Sequence, residues 1–278
     1  MTTIRDAWLF GRTQLHESPT PALDARLLLE HVLGHDHAYL VAHDDELIPA
    51  EPLVVYRDLV GRATAHEPIP YLMGHAPFLG LDFAVSHDVL IPRPETEKLV
   101  ETAIYWGKGR GAMRVIDVGT GSGCIAVSLA RHLPQADVVA VDISAKALAV
   151  AATNAARHAP GSVSLVQADL LSSVAPGFDL IVANLPYIAG HEWPTLPIGV
   201  KSYEPSLALY GGHDGLDLFR RLLPQSAERL NTGGLVLLEI GWQQGESVAG
   251  MARALFPAAT IAVEPDFAGL DRIVSIRR

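Results

Sequence analysis

Apolar residues recur every three to four positions over WLFGRTQL, ALDARLLLEHVL and PLVVYRDLVGRATA, which predicts helices across residues 1–67. Gly34, Pro49 and Pro68 interrupt the pattern where helices should stop or start. From Pro68 to Pro94 turn formers dominate, and PFLGLDFAVS alternates about a Leu-Gly pair as a short hairpin does. IPRPETEKLVETAIYW then reads as a helix entered through Pro94, with Glu95 and Glu97 near the positive end of its dipole.

After residue 112 short apolar runs alternate with helical stretches. RVIDVG precedes CIAVSLARHL, DVVAVD precedes SAKALAVAATNAARH, and VSLVQAD and FDLIVAN follow; after a long loop come LDLFRRLLPQSAERL and GLVLLEI. This βαβ rhythm predicts an α/β fold, a mostly parallel sheet covered by helices on both faces. ATIAVEPD and RIVSIRR are joined by FAGLD, too short for a helical crossover, so the C-terminal strand is expected to run antiparallel to its neighbour. The expected division is a helical domain over 1–67, a hairpin linker over 68–94 and the sheet domain over 95–278.

Composition narrows the class. A chain of 278 residues, 49% hydrophobic, buries a full core in one large and one small domain. It has no apolar run of eighteen, and MTTIRDAWLFGRTQ carries charge where a signal peptide needs an apolar centre, so a cytoplasmic protein without membrane contact is expected. Cys124 is the single cysteine, which excludes an intrachain disulfide and a thiolate metal cage. His35, Asp36, His37, His43, Asp44 and Asp45 cluster without a familiar metal spacing and read as a solvated loop. With 31 acidic against 21 basic residues the net charge of −10 repels polyanions, and no direct nucleic-acid partner is expected; the same acidity also serves solubility.

The candidate chemistry sits at strand ends. Asp117-Val-Gly-Thr-Gly-Ser-Gly-Cys124 follows one strand and opens a helix, where Gly119, Gly121 and Gly123 let backbone N–H groups approach a ligand. Their spacing places the third glycine one position early for a dinucleotide fingerprint, and no Walker lysine follows. Asp142 ends the next strand, placed to accept ribose hydroxyls, and Asp169 in QAD ends the third, placed to accept from an adenine amino group. Cys124, at a helix start, has either a lowered thiol pKa or a packing role. The fourth strand ends in VANLPYI. Asn184 offers its side-chain carbonyl and Leu185 its backbone carbonyl, a pair of acceptors for the N–H bonds of a planar, weakly nucleophilic nitrogen. Pro186 stiffens the turn, and Tyr187 offers a face for stacking.

The glycine loop and the two later acids resemble the class I, Rossmann-like S-adenosylmethionine-dependent methyltransferases. The resemblance implies S-adenosyl-L-methionine as cofactor, S-adenosyl-L-homocysteine as its product, and a cofactor site formed by Asp117, Gly119, Thr120, Gly121, Gly123, Asp142, Ile143, Asp169 and Asn184. Asn184-Leu185-Pro186-Tyr187 resembles the Asn-Pro-Pro-Tyr signature of amino-methyltransferases acting on adenine N6, guanine N2 or a glutamine amide. It departs at Leu185, and Asn-Leu-Pro-Tyr also occurs in ribosomal RNA adenine dimethyltransferases.

YLMGHAPFLGLDFAVSHDVLIPRPETE, DVGTGSGCIAVSLA, NLPYI, YEPSLALYGGHDGLDLFRRLL, LLEIGWQQ and DFAGLDRIV are all similar to the HemK/PrmC family. That resemblance implies a protein-(glutamine-N5) methyltransferase that modifies the Gly-Gly-Gln glutamine of class 1 peptide chain release factors and so modulates translation termination, with a small helical domain helping to hold the factor. It implies that Asn184 and Leu185 grip the glutamine amide, that Pro186 and Tyr187 border it, and that Glu204 and Pro205 shape the adjoining loop. Arg93 and Glu97 of IPRPETE are either participants or parts of a rigid linker and helix start. The alternatives are a ribosomal RNA or DNA amino-methyltransferase and, on the strength of Leu185 alone, a binding module without turnover.

Overall fold

The structure, a computed structural model, describes residues 1–266 and 268–278; Phe267, in the FAGLD link, lies outside the described residues. Two compact units emerge, Met1–His75 with Pro197–Tyr203, and Ala76–Leu196 with Glu204–Arg278.

Capping residues and glycines set the helices of the first unit. α1 (Ile4–Gln14) begins in a capping box, Thr3 and Asp6 each accepting from the other's backbone N–H at 3.1 Å. α2 (Pro21–Leu33) enters through its proline and ends on Gly34 at φ 69. Asp36 caps α3 (His37–Ala42), and Pro49 and Pro68 precede α4 (Ala50–Thr64) and α5 (Ile69–Met73). α5 occupies a stretch that the turn formers predicted as connector. The core gathers Leu28, Leu29, Tyr56 and Leu59, and the Tyr56 hydroxyl donates to the Ala25 carbonyl at 3.2 Å. Of the His/Asp cluster, Asp44 pairs with Arg5, and His35 and His43 each stack on Tyr39, at 3.7 and 4.0 Å between ring centroids.

β1 (His75–Phe78) and β2 (Leu81–Ala84) form the expected hairpin. Leu79 and Gly80 both hold positive φ, 46° and 71°, as a two-residue turn that matches strand twist demands. The Leu79 N–H donates to Glu97 Oε1 at 2.8 Å from α6 (Pro94–Gly107), so Glu97 braces this turn.

After α6 the chain runs β3 (Met113–Val118), α7 (Cys124–His132), β4 (Ala136–Asp142), α8 (Ala145–His158), β5 (Val163–Gln167), β6 (Phe178–Asn184), α9 (Ile198–Tyr203), α10 (Asp217–Arg229), β7 (Leu230–Glu239), α11 (Gly245–Leu255), β8 (Thr260–Pro265) and β9 (Asp271–Arg277). α9 belongs to the first unit, where the Tyr203 hydroxyl donates to the Ala65 carbonyl at 2.9 Å. The strand order is β5-β4-β3-β6-β7-β9-β8, with β9 antiparallel to both of its neighbours and the other pairings parallel. Alternation along β3 sends Val115 into one core with Leu99, Leu129 and Leu180, and Ile116 into the other with Ile181, Phe219 and Val274. From β3 the chain steps outward through β4 and β5, then returns to place β6 on the other side. The crevice outside the carboxyl ends of β3 and β6 is therefore the switch point at which open α/β sheets bind ligands.

Candidate functional site

β3 delivers Asp117 to that crevice, fully buried. Its Oδ2 accepts from the Thr120 hydroxyl at 2.6 Å and the Ala126 N–H at 3.2 Å, which fastens the glycine loop to the first turn of α7. Burial pushes its carboxyl up to about 7. The Gly119 and Thr120 N–H groups both donate to the Val141 carbonyl at 2.9 Å, tying the loop to β4. Gly123, at φ 80, lies where a Cβ would fall 3.1 Å from the Ala151 Cβ, so it lets α7 start hard against α8. At Gly121 a Cβ would meet nothing within 4 Å, and here the backbone borders a cavity of about 300 Å³. Asn154 holds the hairpin to the loop, accepting from the Ala84 N–H at 2.7 Å and donating to the Ser122 carbonyl at 2.8 Å.

Asp142 is fixed at both oxygens, Oδ2 accepting from the Gly121 N–H and Oδ1 from the Ser144 N–H, each at 2.9 Å. A carboxylate has about four acceptor positions, so capacity remains for a ligand hydroxyl pair. Ile143 is half exposed on the cavity wall. Asp169 meets Arg221 of α10 at 2.6 Å, and Leu170 beside it, buried, holds φ 53, a strained setting for a bulky residue. Cys124 is no activated thiol. Burial pushes it up to about 12, in keeping with a packing role.

Asn184, at the end of β6, stands in register beside Glu239 of β7. Its Nδ2 donates to Thr96 Oγ1 at 3.0 Å, and the Thr96 hydroxyl donates to Glu239 Oε2 at 2.7 Å. Burial raises the Glu239 carboxyl to about 7, against the pull of hydrogen bonds from Thr96 and Asn184 and of the Arg272 charge. The Leu185 side chain is buried beneath the glycine loop, 2.9 Å from where a Cβ on Gly119 would lie, and so fills the place beside the loop from below.

The turn after Pro186 is buttressed from behind. Gln244 donates to the Tyr187 and Gly215 carbonyls at 2.9 and 3.3 Å while its Oε1 accepts from the Gly241 N–H at 3.0 Å. Ile188 and Gly211 exchange further backbone bonds with their neighbours, Ile188 N–H to Leu209 O at 3.0 Å and Gly211 N–H to Ile188 O at 2.9 Å. A Cβ at Gly211 would sit 2.7 Å from the Tyr187 Cα, so this approach requires glycine. Glu204 is buried; it accepts from the Ile91 N–H at 3.3 Å and pairs with Arg93, anchoring the IPRP segment.

Gly119, Thr120, Gly121, Asp142, Ile143 and Asp169 thus meet Asn184, Leu185, Pro186 and Pro205 around one cavity. Asp117, Gly123, Tyr187 and Glu204 stand behind it: Tyr187 packs on the sheet core, where burial pushes its hydroxyl up to about 12. Thr96, Glu239, Arg221, Asn154 and Gln244 were not singled out from the sequence. Thr96 and Glu239 did lie inside IPRPETE and LLEIGWQQ, and Gln244 in the second of these, so the motifs carried a signal that their individual spacing did not.

Comparison with known proteins places this geometry in context. A family model described as the PrmC N-terminal domain matches residues 6–74, and one described as a methyltransferase small domain matches residues 107–196. A release factor glutamine methyltransferase of Bordetella pertussis is 45% identical over 280 residues, covering 98% of each chain. One from Koribacter versatilis is 41% identical over 264 residues, 94% of this chain and 93% of its own. Among solved structures, a methyltransferase from Pyrococcus furiosus shares the fold, with a TM-score of 0.53 and 19% identity over 72% of this chain and 89% of that one.

Proposed function

The chain belongs to the family of release factor glutamine methyltransferases, and from that premise we propose that it transfers a methyl group from S-adenosyl-L-methionine to the side-chain amide nitrogen of the Gly-Gly-Gln glutamine in class 1 peptide chain release factors. The observation that carries this reading is Asn184, pinned at its amide nitrogen and standing beside the glycine loop at the switch point of the sheet.

The residues around the cavity fit this cofactor. Open backbone at Gly121 admits a ligand, Asp142 retains acceptor capacity for a ribose, and Asp169 stands where an adenine amino group would find an acceptor. When bound, S-adenosyl-L-methionine supplies an electrophilic methyl group on a sulfonium. The protein's part is then to hold a poor nucleophile in line. Asn184 Oδ1 and the Leu185 carbonyl accept the two N–H bonds of the glutamine amide, orient its nitrogen and favour the positive charge that develops there. Pro186 biases Leu185 toward the extended geometry that presents this carbonyl. Tyr187 and Glu204 support the arrangement from behind, through the sheet core and through Arg93. Transfer would break the methyl–sulfur bond as the N–C bond forms and pass one proton from the nitrogen to water, leaving N5-methylglutamine and S-adenosyl-L-homocysteine.

We assign the holding of the release factor to the helical unit and place the protein in the cytoplasm with that substrate. Among the described residues no helix is long and apolar enough to cross a membrane. The net charge of −10 favours a protein substrate over RNA.

Mass spectrometry of a release factor incubated with enzyme and S-adenosylmethionine is expected to show one added methyl on the Gly-Gly-Gln peptide; an unmodified peptide, or label on RNA instead, sinks the reading. Asn184→Ala is expected to keep cofactor affinity while kcat falls about 10²–10³-fold. An equal loss in cofactor affinity would contradict the role given to Asn184.

A further inference from the structure

An asparagine amide has two ends alike in shape and opposite in chemistry, and only the carbonyl end accepts from a glutamine N–H. The residues behind Asn184 decide which end meets the cavity. Thr96 and Glu239 are both buried, 2% and 1% exposed. An ionised Glu239 only accepts, so the single Thr96 hydroxyl proton goes to its Oε2 at 2.7 Å. The Thr96 oxygen then has only lone pairs to offer Asn184 and takes an Nδ2 hydrogen at 3.0 Å, while Glu239 also accepts directly from the Asn184 side chain. Oδ1 is left for the cavity.

Resting on the amide methylation proposed above, we infer that Thr96 and Glu239 are positioning residues that set the orientation of the Asn184 amide, and that ionised Glu239 sets the productive one. A protonated Glu239 reverses the chain of bonds. It donates its own O–H to Thr96, and the Thr96 proton becomes free to be donated to Asn184, which then turns its carbonyl inward and presents N–H groups to a substrate that also bears N–H groups. Two donors facing each other cannot bind, so the glutamine loses its alignment.

The groups facing Glu239 are Arg272 from β9, Glu95 from α6, Tyr187 after β6 and Cys124 at the head of α7. Burial pushes Tyr187 and Cys124 up to about 12, and Arg272 is raised beyond its already high value, so none of these three changes charge near neutrality. Asp117, also pushed up to about 7, does titrate there, and a Glu239 variant separates the two.

Steady-state transfer of labelled methyl from S-adenosylmethionine to a class 1 release factor tests the inference. Thr96→Val, which keeps shape and removes the hydroxyl, is expected to lower kcat about 100-fold with cofactor Kd unchanged by calorimetry, while Thr96→Ser restores kcat to within a few fold of wild type. Wild-type kcat is expected to rise with pH through about 7. Glu239→Gln, whose amide carbonyl still accepts from Thr96, is expected to lose that rise. Wild-type kcat in Thr96→Val, a matching loss of cofactor affinity in that variant, or an unchanged pH profile in Glu239→Gln overturns the inference. A wild-type enzyme that leaves the factor unmethylated overturns the function itself, and this is seen before any variant is compared.

Discussion

Glu239 shows how a single carboxyl can tie stability to pH. Its folded pKa of about 7 lies above the ordinary value of 4.5 because burial disfavours the charge. The folded state therefore keeps a proton that the unfolded chain has released, so this residue's stabilising contribution is full below about 4.5 and is lost as pH rises through about 7. Relative to Glu239→Gln, wild-type unfolding free energy is expected to fall across that window by on the order of 3 kcal/mol, measured by urea denaturation at several pH values. Parallel stability curves for the two proteins would refute it. At this scale the sequence was legible where chemistry is local: the glycine loop, Asp142 and Asn184 each announce themselves by their place after a strand. It was opaque where partners come from afar. Thr96 reaches Asn184 across 88 positions, and no periodicity marks a threonine inside a helix start as the acceptor for a residue that distant. Leu185 was the irregular letter of its motif, and its burial beneath Gly119 could not be read from a pattern in which a proline ring is the expected occupant.

Elements were legible to the extent that one face of each is apolar. The central strands β3, β6 and the second half of β7 are buried on both sides and read as continuous hydrophobic runs, and the breaks at Gly34, Pro49 and Pro68 became a C-terminal cap and two helix entries. α3, which begins at His37 inside the stretch that reads as a solvated loop, and likewise α5 and α9, were missed because five or six residues carry too few turns of a helical period to stand out. Gly11 of α1 illustrates a choice invisible in the sequence. Propensity alone says that Gly11→Ala stabilises a helix by about 1 kcal/mol. Here the added Cβ would lie 2.0 Å from the Tyr56 hydroxyl and 3.0 Å from the Ala25 Cβ, and Tyr56 is a fully buried ring bonded to the Ala25 carbonyl. Sterics outweigh propensity, and thermal or urea melts are expected to show a loss of about 1–3 kcal/mol. A gain would mean that α1 and α4 separate more readily than their packing indicates.

The whole chain was read correctly as helices followed by an α/β sheet, because alternation of strand and helix leaves few topologies open. The segment 197–203 was not separable from the sheet domain by sequence, since its membership of the helical unit arises from tertiary contacts such as Tyr203 with Ala65. The position of β9 has a consequence for how the protein is made. β8 leaves the ribosome before β9, yet among the described residues its ladder to the sheet runs only through β9, which also closes the open side of β7. Synthesis order and spatial order are thus inverted at this side of the sheet, and until β9 arrives β7 presents unpaired backbone that another chain could occupy. Removing residues 271–278 is expected to abolish hydrogen-exchange protection in β8 and to promote self-association, read by exchange mass spectrometry and light scattering; a monomer with β8 still protected would show that β8 has found the sheet without its intermediary. A nascent chain must therefore hold its cofactor crevice, built at β3 and β6, beside a sheet still unfinished two strands away.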